Sequence, residues 1–328
     1  MDAVLQRLMQ SPIRRRKVFF RRFHRRDGGA VHDKRQIEQI NSIFYRHYRK
    51  GGFMLERKKS GSMVCPGCGR LISVNAPSCI HCGRKNPGLW GWGPSLSRWL
   101  ADFRGLAPSL TVACIALYVI SLALDLSAIL HPRGMLSFLS PGMESLDRMG
   151  MTGRYAISHG RWWTLLTAVY LHGGILHILF NVMWLRQLGY MVEELFGTGR
   201  AFIIFTVSGV TGFMLSVAMG SMFTLGGSGA IFGMLGSLIY YGRKRGGDFG
   251  SALYRQVGAW AIMAFVFGFL FPNIDNWAHF GGFAGGFVIS ALMGIRETRR
   301  EKKAIALAAG ALAAVTLLCF LLAVIRPH

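Results

Sequence analysis

The stretch Leu225-Gly226-Gly227-Ser228-Gly229-Ala230-Ile231-Phe232-Gly233 sets one hydroxyl among glycines at the head of an apolar run that continues to about Tyr241. Glycine has no Cβ to hold a second backbone away, so Gly229, Gly233 and Ser237, four apart, make one small-residue face that another helix can approach closely. A second ladder of the same spacing, Gly282, Gly286 and Ser290, follows Ala278-His279. His279 stands three residues before Gly282 on the same face. Packing the two faces together brings Ser228 and His279 within hydrogen-bonding reach near one membrane surface, which places a nucleophile beside a base.

The composition carries these ladders into a membrane. The chain has 328 residues, 52% hydrophobic and 16% charged, more apolar than a soluble globular protein and long enough for several spans of ~20 residues. Seven apolar segments are expected, at about 108–130, 162–188, 200–220, 225–242, 256–271, 276–295 and 304–325. The net charge of +23 is concentrated at the amino end, where residues 1–60 hold 17 Lys or Arg against 5 Asp or Glu. Ahead of a membrane domain such a block marks the cytoplasmic side or meets anionic headgroups, and nucleic acid is the disfavoured partner. Two readings of residues 1–60 stand: short amphipathic helices on the membrane surface, with Phe19, Phe20, Phe23, Phe44, Tyr45 and Tyr48, or a disordered basic arm. Arg14-Arg15-Arg16-Lys17 precedes no apolar run of signal-peptide length, so the first span is expected to serve as its own address.

With the amino terminus inside, segments 1–107, 189–199, 243–255 and 296–303 are cytoplasmic. They include Arg243-Lys244-Arg245 and Arg299-Arg300-Glu301-Lys302-Lys303. Ser228 and His279 then both lie near the outer face, and the carboxyl terminus is outside.

Before the first span come Cys65-Pro66-Gly67-Cys68-Gly69 and, ten residues after Cys68, Cys79-Ile80-His81-Cys82-Gly83. Two Cys-x-x-Cys knuckles, each followed by glycine, offer four thiolates for tetrahedral coordination by zinc. Disulfides are disfavoured on a reducing side, and a rubredoxin-like iron site is the main competitor. His81 is surplus to a shell already filled by four cysteines. The linker 87–107 carries Trp90, Trp92, Trp99 and Leu100, which suit the headgroup region.

Gly226-x-Ser228-Gly229, Ala278-His279 followed by Gly282 and Gly286, and His177-x-x-x-Asn181 in an earlier apolar segment together resemble the rhomboid intramembrane serine proteases. The resemblance covers roughly residues 108 to 295 and rests on three motifs in order, each in its own segment. The soluble hydrolase elbow, Gly-x-Ser-x-Gly between strand and helix, fits less well, since its fifth position here is Ala230 and no strand precedes it. The resemblance implies an all-α polytopic bundle, a six-helix core with one further carboxyl-terminal span, preceded by the zinc ribbon. The chain divides accordingly into a basic region 1–60, the ribbon 61–86, the linker 87–107, the core 108–295 and the seventh span with the carboxyl terminus, 296–328. It also implies a multi-pass protein of a bacterial inner membrane, cutting transmembrane segments of other membrane proteins that carry small or helix-destabilising residues near the outer surface.

A serine hydroxyl is a poor nucleophile at neutral pH and needs a base, for which His279 is the best candidate in the chain. Asp275 lies one turn earlier and would invite a triad. The family works with a Ser-His dyad, so Asp275 is left out of the catalytic set. Phe232, four residues after Ser228, matches a family position often held by tyrosine and offers a face on which the imidazole can stack. The oxyanion of the tetrahedral intermediate requires donors already in place. His177 and Asn181 share a helical face and can supply them, and the Ser228 backbone N–H is a third by resemblance. His172 lies off that face and nearer the water, with a minor role at most. Gly226, Gly229, Gly282 and Gly286 support the site by close packing. No cofactor is needed for the chemistry, and zinc is structural.

The bland readings are concrete. His177 and Asn181 taken alone are helix–helix glue, worth ~0.6 kcal/mol each. Four polar side chains at one depth would be an expensive way to hold a bundle. The alternative is a non-catalytic rhomboid-like protein that binds client transmembrane helices, and it is disfavoured by the presence of both Ser228 and His279. A transporter finds no internal repeat in the chain. Membrane lipids are expected partners, and the partner of the ribbon is left open. In the family, the outer loop, about 131–161 here, often closes on a Trp-Arg pair. Here Trp162-Trp163 is followed by Thr164, so the pinning guanidinium is either missing or supplied by Arg161.

Overall fold

The computed structural model describes residues 59–93, 105–125, 139–271, 274–295 and 302–325. The two readings of residues 1–60 lie outside the described residues, apart from residues 59 and 60. Trp99, Leu100 and the loop positions 126–138 are outside as well.

The first described unit is a two-stranded antiparallel hairpin, β1 (Ser62–Val64) and β2 (Leu71–Ser73), with Met63 opposite Ile72. Each Cys-x-x-Cys forms the same turn: Gly69 N–H donates to the Cys65 carbonyl and Gly83 N–H to the Cys79 carbonyl, both at 2.9 Å. Both glycines have positive φ, +71° and +73°, which a side chain would strain. The two turns bring four thiol sulfurs within 4.8 Å of one another. Cys65 and Cys82 Sγ are 3.8 Å apart, and Cys68 and Cys79 Sγ 3.7 Å. Four sulfurs about 2.3 Å from a common tetrahedral centre would stand roughly 3.8 Å from each other, so the set fits zinc. Gly67 N–H donates to Cys65 Sγ at 3.4 Å, and that bond holds the thiol below its ordinary pKa, toward the thiolate a metal requires.

The remaining elements are helical. α1 (Leu106–Leu124) leads to two short helices, α2 (Met143–Arg148) and α3 (Arg154–Ser158), and to a single turn, α4 (Thr164–Thr167). Six long helices follow: α5 (Ile175–Phe196), α6 (Thr198–Ala218), α7 (Ser228–Arg245), α8 (Gly247–Leu270), α9 (Asn276–Met293) and α10 (Lys303–Ile325). Among the described residues, α1, α5, α6, α8 and α10 are long and apolar enough to cross a membrane. α7 and α9 have 18 residues each and are rich in glycine. α7 is enclosed by its neighbours: residues 229–238 are buried without a break. Lipid-facing helices can be uniformly apolar, whereas a helix surrounded by other helices is selected for close approach.

Two segment boundaries differ from the sequence reading. The span placed at 162–188 begins only at Ile175, because the chain first makes α4, the 3-10 turn Ala168–Tyr170 and the Gly173-Gly174 break, then continues to Phe196. The fifth, read as short from 256, starts at Gly247 and has 24 residues. Its first turns carry Asp248 and Arg255, which lowered the local hydropathy without interrupting the helix. Gly246 alone, with φ +61°, separates α7 from α8. Glu193, near the end of α5, ties the bundle's edges: its carboxylate accepts from Leu106 N–H at 2.9 Å and from Thr198 Oγ1 at 2.8 Å, holding the starts of α1 and α6.

Candidate active site

α7 and α9 meet backbone to backbone. A Cβ on Gly282 would overlap the Gly229 carbonyl, one on Gly286 the Gly233 carbonyl, and one on Gly236 the Phe283 carbonyl. α6 closes the same junction, since a Cβ on Gly233 would overlap Ser208, and one on Gly212 would come 2.6 Å from the Ala278 carbonyl oxygen. The three helices are thus fixed by contacts that tolerate no side chain, and the first turns of α7 and α9 lie side by side.

Ser228 opens α7 and His279 sits in the first turn of α9. The Ser228 hydroxyl and His279 Nε2 are 3.0 Å apart, across 51 residues of sequence. The imidazole is 6% exposed and lies against the Phe232 ring, centroids 4.1 Å apart and planes 16° from parallel. Phe265 packs on Phe232 in turn, at 4.6 Å. A serine hydroxyl bonded to a buried imidazole can act as a nucleophile with its base.

His279 Nδ1 is buried with no hydrogen-bond partner among the described residues. Asp275 is engaged elsewhere. One oxygen accepts the Ala278 N–H at 2.9 Å, and the other accepts the Thr224 hydroxyl at 2.6 Å and the Ser216 hydroxyl. It is the N-cap of α9, where a carboxylate satisfies an otherwise unpaired N–H and faces the positive end of the helix. Asp275 is therefore a brace linking α9 to α6 and to the segment before Ser228. Asp275→Asn keeps a carbonyl for the cap, and any activity that runs through Ser228 is expected to fall less than about tenfold. A group fixing the imidazole tautomer would cost about ten-thousandfold, and a loss of that size without unfolding would make Asp275 part of the site.

His177 and Asn181 lie on one face of the first turns of α5. Gly173 N–H points at His177 Nδ1, at 3.4 Å, so Nδ1 is the acceptor and Nε2 carries the hydrogen. A Cβ on Gly226 would be 2.6 Å from His177 Nε2, and Gly226 has φ +125°. Glycine at 226 meets both demands, a backbone shape and an open face beside a ring N–H. Asn181 Nδ2 donates to the His177 carbonyl at 2.8 Å. By helix geometry the Ser228 N–H has no partner within α7 and adds to the positive end of the helix. The site therefore gathers N–H donors on the same side as the serine.

His172, read from sequence as off the face and nearer the water, is 1% exposed and packs edge-on against His177 with centroids 5.1 Å apart. The Gly173-Gly174 break turns the chain so that residue 172 folds under residue 177. That pair of glycines announces a turn but not its direction.

The described part of the loop before α4, residues 139–161, is pinned by Arg161. Arg161 forms an ion pair with Asp147, with a second contact of 3.0 Å from Nη1. The Thr164 hydroxyl donates to the Arg161 carbonyl at 2.7 Å and meets the Thr152 hydroxyl, which has the hydrogen for that contact, at 3.0 Å. Thr152 and Thr224 exchange backbone hydrogen bonds of 3.2 and 2.8 Å, which joins the loop to the segment leading into Ser228. Trp163 is buried against Cys319 and Ala323 of α10, while Trp162 is exposed. Nothing near Asp147 or Thr152 in sequence announces these partners.

The model of the rhomboid domain matches residues 159–296. The chain is 37% identical over 156 residues to Rhomboid protease GluP of Bacillus subtilis (strain 168), an alignment covering 48% of this chain and 31% of that protein. It is 31% identical over 218 residues to RHOMBOID-like protein 1 of Arabidopsis thaliana, covering 59% and 54%. With the putative rhomboid protease YdcA of Bacillus subtilis it shares 30% over 151 residues, 44% of this chain and 73% of that protein. The chain thus spans about a third of the first of these relatives and about half of the second, while covering nearly three quarters of the third. These likenesses join the five membrane-length helices and the Ser228–His279 junction in one conclusion: the chain is an integral membrane protein and belongs to the rhomboid family.

Proposed function

We propose that the chain is an intramembrane serine endopeptidase that cuts transmembrane segments through Ser228 and His279. The observation that carries the reading is the 3.0 Å contact between Ser228 Oγ and His279 Nε2 at two adjoining helix starts, with Phe232 holding the ring. In the first half-reaction Ser228 Oγ attacks the scissile carbonyl while His279 Nε2 takes its proton. The imidazolium then protonates the leaving amine, and the acyl group stays on Ser228. A water, deprotonated by His279, releases the acid product and returns the hydroxyl.

His177 Nε2–H, the second Asn181 Nδ2 hydrogen and the Ser228 N–H meet the negative oxygen of each tetrahedral intermediate. His279 needs no carboxylate in this scheme, because the Phe232 face orients its ring. A substrate span must unwind locally first, since helical carbonyls are already bonded, which favours segments with small or helix-destabilising residues near the outer surface. The test is incubation of the purified protein and of Ser228→Ala, in detergent, with a single-span model substrate. Cleavage by the first and not the second is expected. A silent wild-type protein or an active Ser228→Ala would overturn the reading.

On the same reading residues 1–60 are a basic cytoplasmic region, 61–86 a zinc ribbon, 87–107 a linker, 108–295 the proteolytic core and 296–328 a seventh span. We place the protein in a bacterial inner membrane. The cluster Arg243, Lys244 and Arg245 at the end of α7 faces the cytoplasm, which a reporter fused after Gly246 checks.

The ribbon holds one zinc through Cys65, Cys68, Cys79 and Cys82, and the metal takes no part in the chemistry. Elemental analysis of the full chain is expected to return one zinc, lost in Cys65→Ser with cleavage of a small model substrate largely retained. A chain without zinc whose ribbon amides are still protected from hydrogen exchange would remove the metal from the account.

A further inference from the structure

Position 227 has a glycine that the backbone does not require. Gly227 has φ −74° and ψ −5°, open to any residue, and a Cβ there would make only ordinary contacts. Its three nearest atoms would be the Val169 carbonyl oxygen at 3.4 Å, Asn181 Oδ1 at 3.5 Å and His172 Nε2 at 3.9 Å. All three are acceptors. His172 Nδ1 lies 3.2 Å from the Tyr170 carbonyl, which can only accept, so in the neutral ring Nδ1 carries the hydrogen and Nε2 the lone pair. Asn181 turns Nδ2 toward the His177 carbonyl by the same logic, which directs Oδ1 to the Gly227 side.

His172 Nε2 and Asn181 Oδ1 are both buried without a hydrogen-bond partner among the described residues, and their side chains are 1% and 7% exposed. A buried acceptor left without a donor is costly. A group with two hydrogens and the size of one side-chain carbon satisfies both, and a water is that group.

We propose that one water is bound beside Gly227, close enough that an added Cβ would displace it, donating to His172 Nε2 and Asn181 Oδ1, and that His172 is through it a positioning residue for the Asn181 amide. The role in cleavage rests on the protease reading, whereas the water site does not. Held at Oδ1 by the water and at Nδ2 by the His177 carbonyl, the amide keeps its remaining N–H at a fixed angle toward the oxyanion. Small errors in such an angle are expensive in rate. The arrangement accounts for a glycine where alanine would fit and for a buried histidine outside the dyad.

Three variants test it. Gly227→Ala replaces the water by a methyl group without strain, and kcat should fall about tenfold with KM and the thermal midpoint unchanged. Gly227→Ser returns a hydroxyl donor to the same place and should recover part of that loss, an order that crowding alone would reverse. His172→Phe keeps the ring and removes the acceptor, and combined with Gly227→Ala it should be no slower than the slower single variant. A high-resolution crystal structure should show the water within hydrogen-bonding distance of both atoms in the wild-type protein and lack it in Gly227→Ala. Wild-type density without that water, full turnover in Gly227→Ala, or Gly227→Ser no better than Gly227→Ala would each overturn the proposal. A wild-type protein that cleaves nothing would instead defeat the protease reading and the kinetic role with it, leaving the density to decide the site.

Discussion

Ser228→Ala and His279→Ala are each expected to reduce cleavage of a single-span substrate to background, and the double variant is expected to be no worse than either. The two groups act as one unit across the 3.0 Å contact, so losing the hydroxyl or the base removes the same nucleophilic route. Independent contributions would multiply, and a double variant far below both singles would separate the residues mechanistically. The donors around them behave differently. His177→Ala and Asn181→Ala each leave two N–H groups directed at the oxyanion, so each should slow turnover by a factor on the order of ten to a thousand with KM little changed. Phe232→Leu tests the ring contact: it removes the stacked face at 4.1 Å, and its cost should appear in kcat, since no substrate group is involved. Full activity in Ser228→Ala would exclude a serine protease.

What could be read from the sequence was whatever depends on local spacing. The glycines at 229, 233, 282 and 286 carry their meaning in their period, because a helix presents every fourth residue on one face and only small residues let backbones touch. The cysteine pairs at 65–68 and 79–82 are of the same kind, a ligand geometry written in a few consecutive residues. Segment ends were misplaced where hydropathy and backbone geometry diverge. Residues 162–174 are apolar enough to resemble a span, yet Trp162 to Tyr170 fold as short turns, and Gly173-Gly174 break the chain before α5. Residues 247–255 are polar enough to resemble a loop, yet no group in them interrupts a helix. Long-range partners left no local trace. Arg161 finds Asp147, Thr152 finds Thr224, and Asp275 finds Ser216 and Thr224, each through the fold alone. His172 was placed nearer the water for the same reason. Its burial comes from the turn after it, and a lone histidine beside two glycines does not reveal which way that turn goes.

Gly286→Ala should be the most damaging single-carbon change in the core. A Cβ at 286 would run into the backbone of Gly233, where the carbonyl oxygen, carbon and Cα all stand too close for a methyl group, and none of them is the end of a flexible side chain. α7 and α9 would have to separate, and α7 cannot retreat freely because Gly233 is also pressed against Ser208 of α6. Overpacking of this kind costs about 1–3 kcal/mol or more when the neighbours are backbone. The same separation lengthens the Ser228–His279 contact, which lies about two helical turns from position 286, and a misplacement on the order of 1 Å is enough for a hundredfold loss of rate. Gly286→Ala should therefore lose cleavage together with a lowered thermal midpoint, in contrast to the dyad variants, which should lose cleavage alone. Gly310→Ala in α10 is the control, because a Cβ there meets nothing within 4 Å, and alanine is the better helix former by about 1 kcal/mol in water. If Gly286→Ala proved as stable and as active as Gly310→Ala, α7 and α9 would not be in backbone contact, and the placement of Ser228 against His279 would need another cause.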